Sequence, residues 1–187
     1  AHARRYLRDP WAARDEYAEV ILDRRGTEMA FFESHATHSL PPHEMTTALK
    51  LLELQRHAML MYTSCGWFFD ELSGIETVQV IQYAGRVIQL AREVFGRDFE
   101  PEFLERLGLA KSNLPERQDG RAIYEKLVKP AVVGLPEVGA HYAVSSLFER
   151  YGQQEHIYCY TAESEDYESS QAGVARLAVG RVRLTSE

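Results

Sequence analysis

The sequence predicts a mainly α-helical protein, a helical bundle followed by a short β-hairpin that begins a β-domain. Three observations carry this. Apolar residues recur every three or four positions over several long stretches, proline-led helix starts precede those stretches, and after Gly152 the apolar period shortens toward two. The division that follows is a helical accessory domain over residues 1–152 and an incomplete β-domain over 153–187.

Asp9-Pro10 is a strong helix start, because an aspartate can cap the first free amides and proline suits the first helical position. The helix it opens is predicted from Trp11 to about Phe32, with Gly26 as its weak point. Glu33–Pro42 reads as a loop, and Pro41-Pro42 starts a second helix in which Leu51, Leu54, Ala58 and Met61 share a face to about Thr63. Ser64-Cys65-Gly66-Trp67 interrupts the pattern. Ser73-Gly74-Ile75-Glu76 has the capping-box form, and Val78, Ile81, Ala84, Ile88, Ala91 and Phe95 then stripe a third helix that Gly96 can end.

Phe99–Leu109 is predicted as a short helix, Ser112–Gly120 as a polar connector, Arg121–Val133 as helical, and Leu135–Tyr151 as the last helix. Ile157–Thr161 is rich in β-formers, Ala162–Gly173 reads as an acidic loop, and Ala175–Thr185 as a second strand with Gly180 as the bulge candidate. A pair of strands alone leaves exposed edges, so pairing with further strands or with a second copy is expected, a homo-oligomer through the C-terminal strands. The chain starts at Ala1 and ends in a strand pattern, which together suggest a piece of a longer polypeptide.

In 187 residues the 45% hydrophobic content supports a folded core, and 21 Lys and Arg against 28 Asp and Glu leave a net charge of −7 with the signs interspersed. A nucleic-acid surface normally needs a basic stripe, so no nucleic-acid partner is expected. No apolar run approaches the length needed to cross a membrane, and no leader pattern opens the chain; a soluble, cytoplasmic protein is expected. Cys65 and Cys159 form no CxxC and read as free thiols.

The chemistry-bearing patterns are few. His35, His38 and His43 share one loop, but a metal site there lacks supporting cysteines and the sequence is read as having no metal centre and no cofactor. The paired E-x-x-H of a di-iron bundle, the phosphate-binding loops and the G-x-S-x-G elbow are absent. Asp70 and Glu71 are adjacent, so on a helix they point about 100 degrees apart and cannot flank one bond. Either of them facing a cleft, or pairing with a neighbouring arginine, stays open.

Trp67, with Phe68 and Phe69 beside it, is either core or an indole offered to a ligand. Sugar C–H faces stack on such rings, and a Trp next to Gly in a helix break has an accessible face. His57, shortly before the break, is either a core histidine or points to the same place.

LLELQRHAMLMYTSCGWFFDELSGIETVQVIQYAGRVIQLA, HYAVSSLFERYGQQEHIYCYTAESEDYE and ARLAVGRVRL resemble the domain of unknown function 3536, the region following the catalytic barrel in bacterial proteins similar to glycoside hydrolase family 57. The resemblance spans almost the whole chain. It implies a parent of the α-glucan hydrolase or glycosyltransferase type, whose two catalytic carboxylates sit on a (β/α)-barrel outside this stretch. It further implies that Ser64-Cys65-Gly66-Trp67 is the counterpart of a Ser-Asp-Trp-like segment lining the glucan cleft, with one extra residue and no Asp directly before Trp67.

Under this reading the chain has no catalytic residues and is itself inactive. Trp67, Asp70 and His57 are its substrate-contacting candidates, and its partners are the barrel of the same polypeptide and an oligosaccharide. The rival is a purely structural or oligomerisation module with no sugar contact.

Overall fold

The computed structural model describes residues 2–157 and 160–186, apart from the side chain of Arg25; Cys159, one of the two expected thiols, lies outside them. The chain forms two compact units, Ala1–Ala131 and Val132–Glu187. The last helix, before the change of period at Gly152, packs with the sheet within the second unit.

In the first unit, α1 (Pro10–Leu22) and α2 (Arg24–His35) replace the single predicted helix. Asp23 sits between them at φ −146°, ψ 78°, and its carboxylate accepts from the Gly26 amide, so an aspartate within the pattern caps a new helix instead of continuing the old one. Asp9 caps α1 as expected, accepting from the Trp11 and Ala12 amides. The segment before α1 is tied to the end of α2: the Arg8 amide donates to the His35 carbonyl, and the Thr37 amide to Tyr6. Leu7, Ala13, Tyr17, Val20, Phe31, Phe32, Ala48 and Leu52 make the core of this region.

Helix α3 (Pro42–Leu60) begins at Pro42 as predicted. A single turn, α4 (Cys65–Phe68), follows, and then the long α5 (Ile75–Phe95), which ends at Gly96 in the left-handed conformation. Lys50 of α3 meets Glu93 of α5 at 2.9 Å, and His57 meets Tyr83 ring to ring at 5.9 Å. As one helix number rises the other falls, so α3 and α5 run antiparallel.

The expected Ser73 capping box does not form. Gly74 is the N-cap of α5 with no side-chain bond, and Ser73 instead gives its amide to the Glu71 carboxylate.

Helix α6 (Glu100–Leu107) and the one-turn α7 (Gly120–Ile123) lead into a π turn, Tyr124–Val128, and a 3-10 turn, Lys129–Ala131, where one helix was predicted. Ile81, Leu104, Ile123, Tyr124 and Val128 form the core here. Tyr124 donates to Glu100 at 3.0 Å, and burial, helped by that carboxylate, pushes its hydroxyl up to about 12.

In the second unit, α8 (Leu135–Ser145) is shorter than the predicted Leu135–Tyr151. It packs on a three-stranded antiparallel sheet ordered β1 (Gln154–Ile157), β2 (Tyr160–Ala172), β3 (Ala175–Ser186). Val138 and Tyr142 of α8, Ile157 and Ala162 are buried together, with Val182 and Leu184 against them.

The predicted acidic loop, Ala162–Gly173, is corrected: it is most of β2, paired with β3 along its length. A two-residue turn joins the two strands, and Gly173 supplies its positive φ of 63°. The register shift lies between Ser164 and Asp166, so Glu165 is the bulged residue. Gly180 faces the bulge on the opposite strand, where the backbone of Asp166 leaves no room for a Cβ.

Ile123 is 2% exposed in the α5–α7 core. Ile123→Ala should cost about 2–5 kcal/mol in urea unfolding, since the cavity it leaves is closed by Ile81, Tyr124 and Val128 and cannot readily collapse.

Candidate functional site

The helix break is a docked turn. The Gly66 backbone lies against Val80 of α5 so closely that an added Cβ would stand 2.7 Å from a Val80 methyl carbon. The Thr77 hydroxyl, itself buried, donates to the Gly66 carbonyl at 3.0 Å. With its glycine facing α5, the turn has nowhere to put its aromatic side chains but outward. Trp67 and Phe68 are each 74% exposed and Phe69 is 53% exposed, with the two phenyl rings edge to face at 5.2 Å. Tyr62 and Ile75, on either side in sequence, are exposed as well. Trp67 is therefore not a core residue.

The loop after the turn is clamped by Glu71. Its carboxylate accepts from the Ser112 hydroxyl at 2.7 Å, from the Ser73 amide at 2.9 Å and from the Asn113 amide at 2.9 Å. These donors, the Ser112 hydroxyl foremost, favour the charged form and hold the carboxyl down to about 2. The Asn113 side-chain amide also donates to the Asp70 carbonyl. Glu71 thus joins residues far apart in sequence and pairs with no arginine among the described residues. The Asp70 side chain is exposed and engages no partner among the described residues.

His57 is committed elsewhere. Its Nδ1 lies 2.9 Å from the Glu53 carbonyl and 3.4 Å from the Glu53 carboxylate. Glu53 in turn accepts from Tyr17 at 2.8 Å and from Arg56 at 3.1 Å, with Arg24 at 4.0 Å. Burial, followed by the charge of Glu53, raises the Tyr17 hydroxyl. This polar knot binds α1, α2 and α3, and no hydrogen bond, ion pair or ring contact among the described residues joins His57 to Trp67 or Asp70.

His35 and His38 turn to separate carboxylates, Glu16 at 3.0 Å and Glu44 at 3.1 Å, and His43 lies in the first turn of α3. Among the described residues no three metal-ligating side chains gather at one point, and no helix is long and apolar enough to cross a membrane.

The domain of unknown function 3536 matches residues 1–187. The chain belongs to the DUF3536 family. Comparison with curated proteins and with solved structures gives no match. Within this DUF3536 chain the break at Ser64–Trp67 is present as a single turn, and the exposure of Trp67 follows from Gly66. The Glu71 clamp has no sign in the sequence, because Ser112 and Asn113 lie in a connector with no periodicity to mark it.

Gly66→Ala should lower Tm by forcing the turn away from α5, and Val80→Ala in the same chain should restore part of the loss, a coupling that a double-mutant cycle by thermal unfolding reads directly. Glu71 has a lowered pKa, so its stabilisation is complete above about pH 4.5 and is lost as pH falls toward about 2. The Tm difference between the native chain and Glu71→Gln should accordingly shrink across that interval in a pH series.

Proposed function

We propose that this DUF3536 chain is a non-catalytic helical accessory region of a glycoside hydrolase family 57-like protein, packing on the catalytic barrel of the same polypeptide and helping to shape its glucan cleft. The observation that carries the proposal is the outward presentation of Trp67 on a turn that Gly66 and Thr77 fasten to α5. An exposed indole normally costs a soluble fold apolar surface without return, whereas a fixed one offers a flat, electron-rich face to polarised C–H bonds.

The resemblance to the family 57-like region leads to the same segment from a different direction. Trp67 is the stacking residue in this proposal. Asp70, exposed and without a partner among the described residues, is the hydrogen-bond acceptor, and His57 is the weakest contributor because its Nδ1 is held by Glu53.

A purely structural or oligomerisation role is the competing reading, favoured by the fact that Trp67 lines neither the cleft beside Phe148 nor the one beside Trp11. In that case Phe68 and Phe69 would be covered by protein and the sugar would never reach the turn.

Titration of the barrel-containing polypeptide with maltooligosaccharides and mannooligosaccharides separates the two. Trp67→Ala should weaken oligosaccharide binding by about tenfold or more without lowering Tm, as loss of an exposed aromatic anchor does. Unchanged affinity and turnover in that variant would sink the proposal in favour of the structural module.

A further inference from the structure

The second unit contains an open cleft of about 910 Å3, within the range of about 300–1,000 Å3 typical of small-ligand sites. One wall is the chain between α8 and β1, and the other is the middle of β2 with the start of β3. The walls are fastened to each other at both ends. Near α8, the Tyr167 hydroxyl donates to the Ser146 carbonyl at 3.0 Å and the Arg176 guanidinium to the Leu147 carbonyl at 2.8 Å. Near β1, the Ser164 amide donates to the Gln153 carbonyl at 2.8 Å. The opening between these ties is therefore a built gap rather than a loose loop.

Its lining combines flat rings with solvent-exposed charged side chains. Phe148 is 74% exposed, with Arg176 over its ring at 5.8 Å, and Tyr151 is stacked on Tyr142 at 5.1 Å. Glu149, Arg150 and Asp166 line the same space, and their side chains make no hydrogen bond or ion pair among the described residues.

The charges nearly cancel. Arg150 and Arg176 stand against Glu149, Glu165 and Asp166, and Glu165 is already paired with Arg183 at 2.6 Å. A phosphorylated or polyanionic ligand finds no cationic excess here. A wholly apolar ligand would strip water from three charged side chains and return nothing. A neutral ligand rich in hydroxyls, with flat C–H faces, satisfies both sets of groups.

We infer that this cleft binds a neutral oligosaccharide, its ring faces on Phe148 and Tyr151 and its hydroxyls on Glu149, Arg150 and Asp166. The site uses none of the residues of the Trp67 turn and lies in the other compact unit, so it stands or falls separately.

The test is an amide NMR titration of the whole chain with maltohexaose, cellohexaose and mannohexaose, with trigalacturonate and an extended hexapeptide as controls. Saturable shifts at residues 148–151 and 164–167 with at least one neutral sugar are expected. Phe148→Ala and Arg150→Ala should each weaken that binding about tenfold, and Phe148→Tyr should retain it. Both alanine positions are exposed and the variants should melt with the native chain, while Trp67→Ala should leave the shifts at residues 148–151 intact. No saturable shift with any neutral sugar, shifts that survive both alanine variants, or shifts caused only by the peptide or the acidic sugar would overturn the inference.

Discussion

Burial of one stripe of α5 is the constraint on which the first unit depends. Thr77, Ile81, Ala84, Gly85, Ile88 and Ala91 are all buried, and they face three different elements: α3, the α4 turn and the π turn at Tyr124–Val128. A Cβ added at Gly85 would meet the Val128 and Tyr124 side chains at 3.4–3.7 Å, ordinary van der Waals distance, so the π turn packs on this face of the helix through those two side chains. Thr77 is the one polar member of the stripe, and it spends its hydroxyl on the α4 turn. The packing that makes the core is thus also what places Trp67.

That link explains why the aromatic residues are outside. A hydrophobic trio such as Trp67-Phe68-Phe69 is expected to bury itself, each ring removing a large apolar area from water. Here the glycine of the turn faces Val80 of α5, and the geometry of a single helical turn sends its successor residues the other way. The clamp at Glu71 then holds the following loop in place, since its carboxylate takes one donor from the neighbouring Ser73 amide and two from the distant Ser112–Asn113 segment. An exposed apolar patch that is held rigid in this way is a feature of contact surfaces more than of ordinary solvent-facing loops.

The legible parts of the fold were those with local causes. Helices α3 and α5 could be read from proline at the start, glycine at the end and an apolar stripe between, because each signal acts within a few residues. The division at Asp23 is hidden from the same signals, because a carboxylate inside a helical pattern looks alike whether it continues one helix or caps the next. Strand β2 was hidden for a different reason. Beyond Ser164 it is exposed on both sides, so it carries no alternation, and only its pairing with β3 makes it a strand. The bulge went to Glu165 rather than Gly180 because the two act together: the extra residue on one strand crowds the other, and glycine is what tolerates the crowding.

The sequence by itself determined the helical class, the switch to β-structure after Gly152, the break at Ser64–Trp67 and membership of a family whose pattern runs the length of the chain. Each of these rests on residue types acting on their neighbours or on long runs of pattern. The outward face of Trp67, the bond from Tyr17 of α1 to Glu53, the Glu71 clamp and the cleft beside Phe148 were decided only by tertiary structure. All four depend on which distant backbone comes to lie beside a side chain, and that is set by how the faces of separate elements pack, a quantity no single stretch of residues contains.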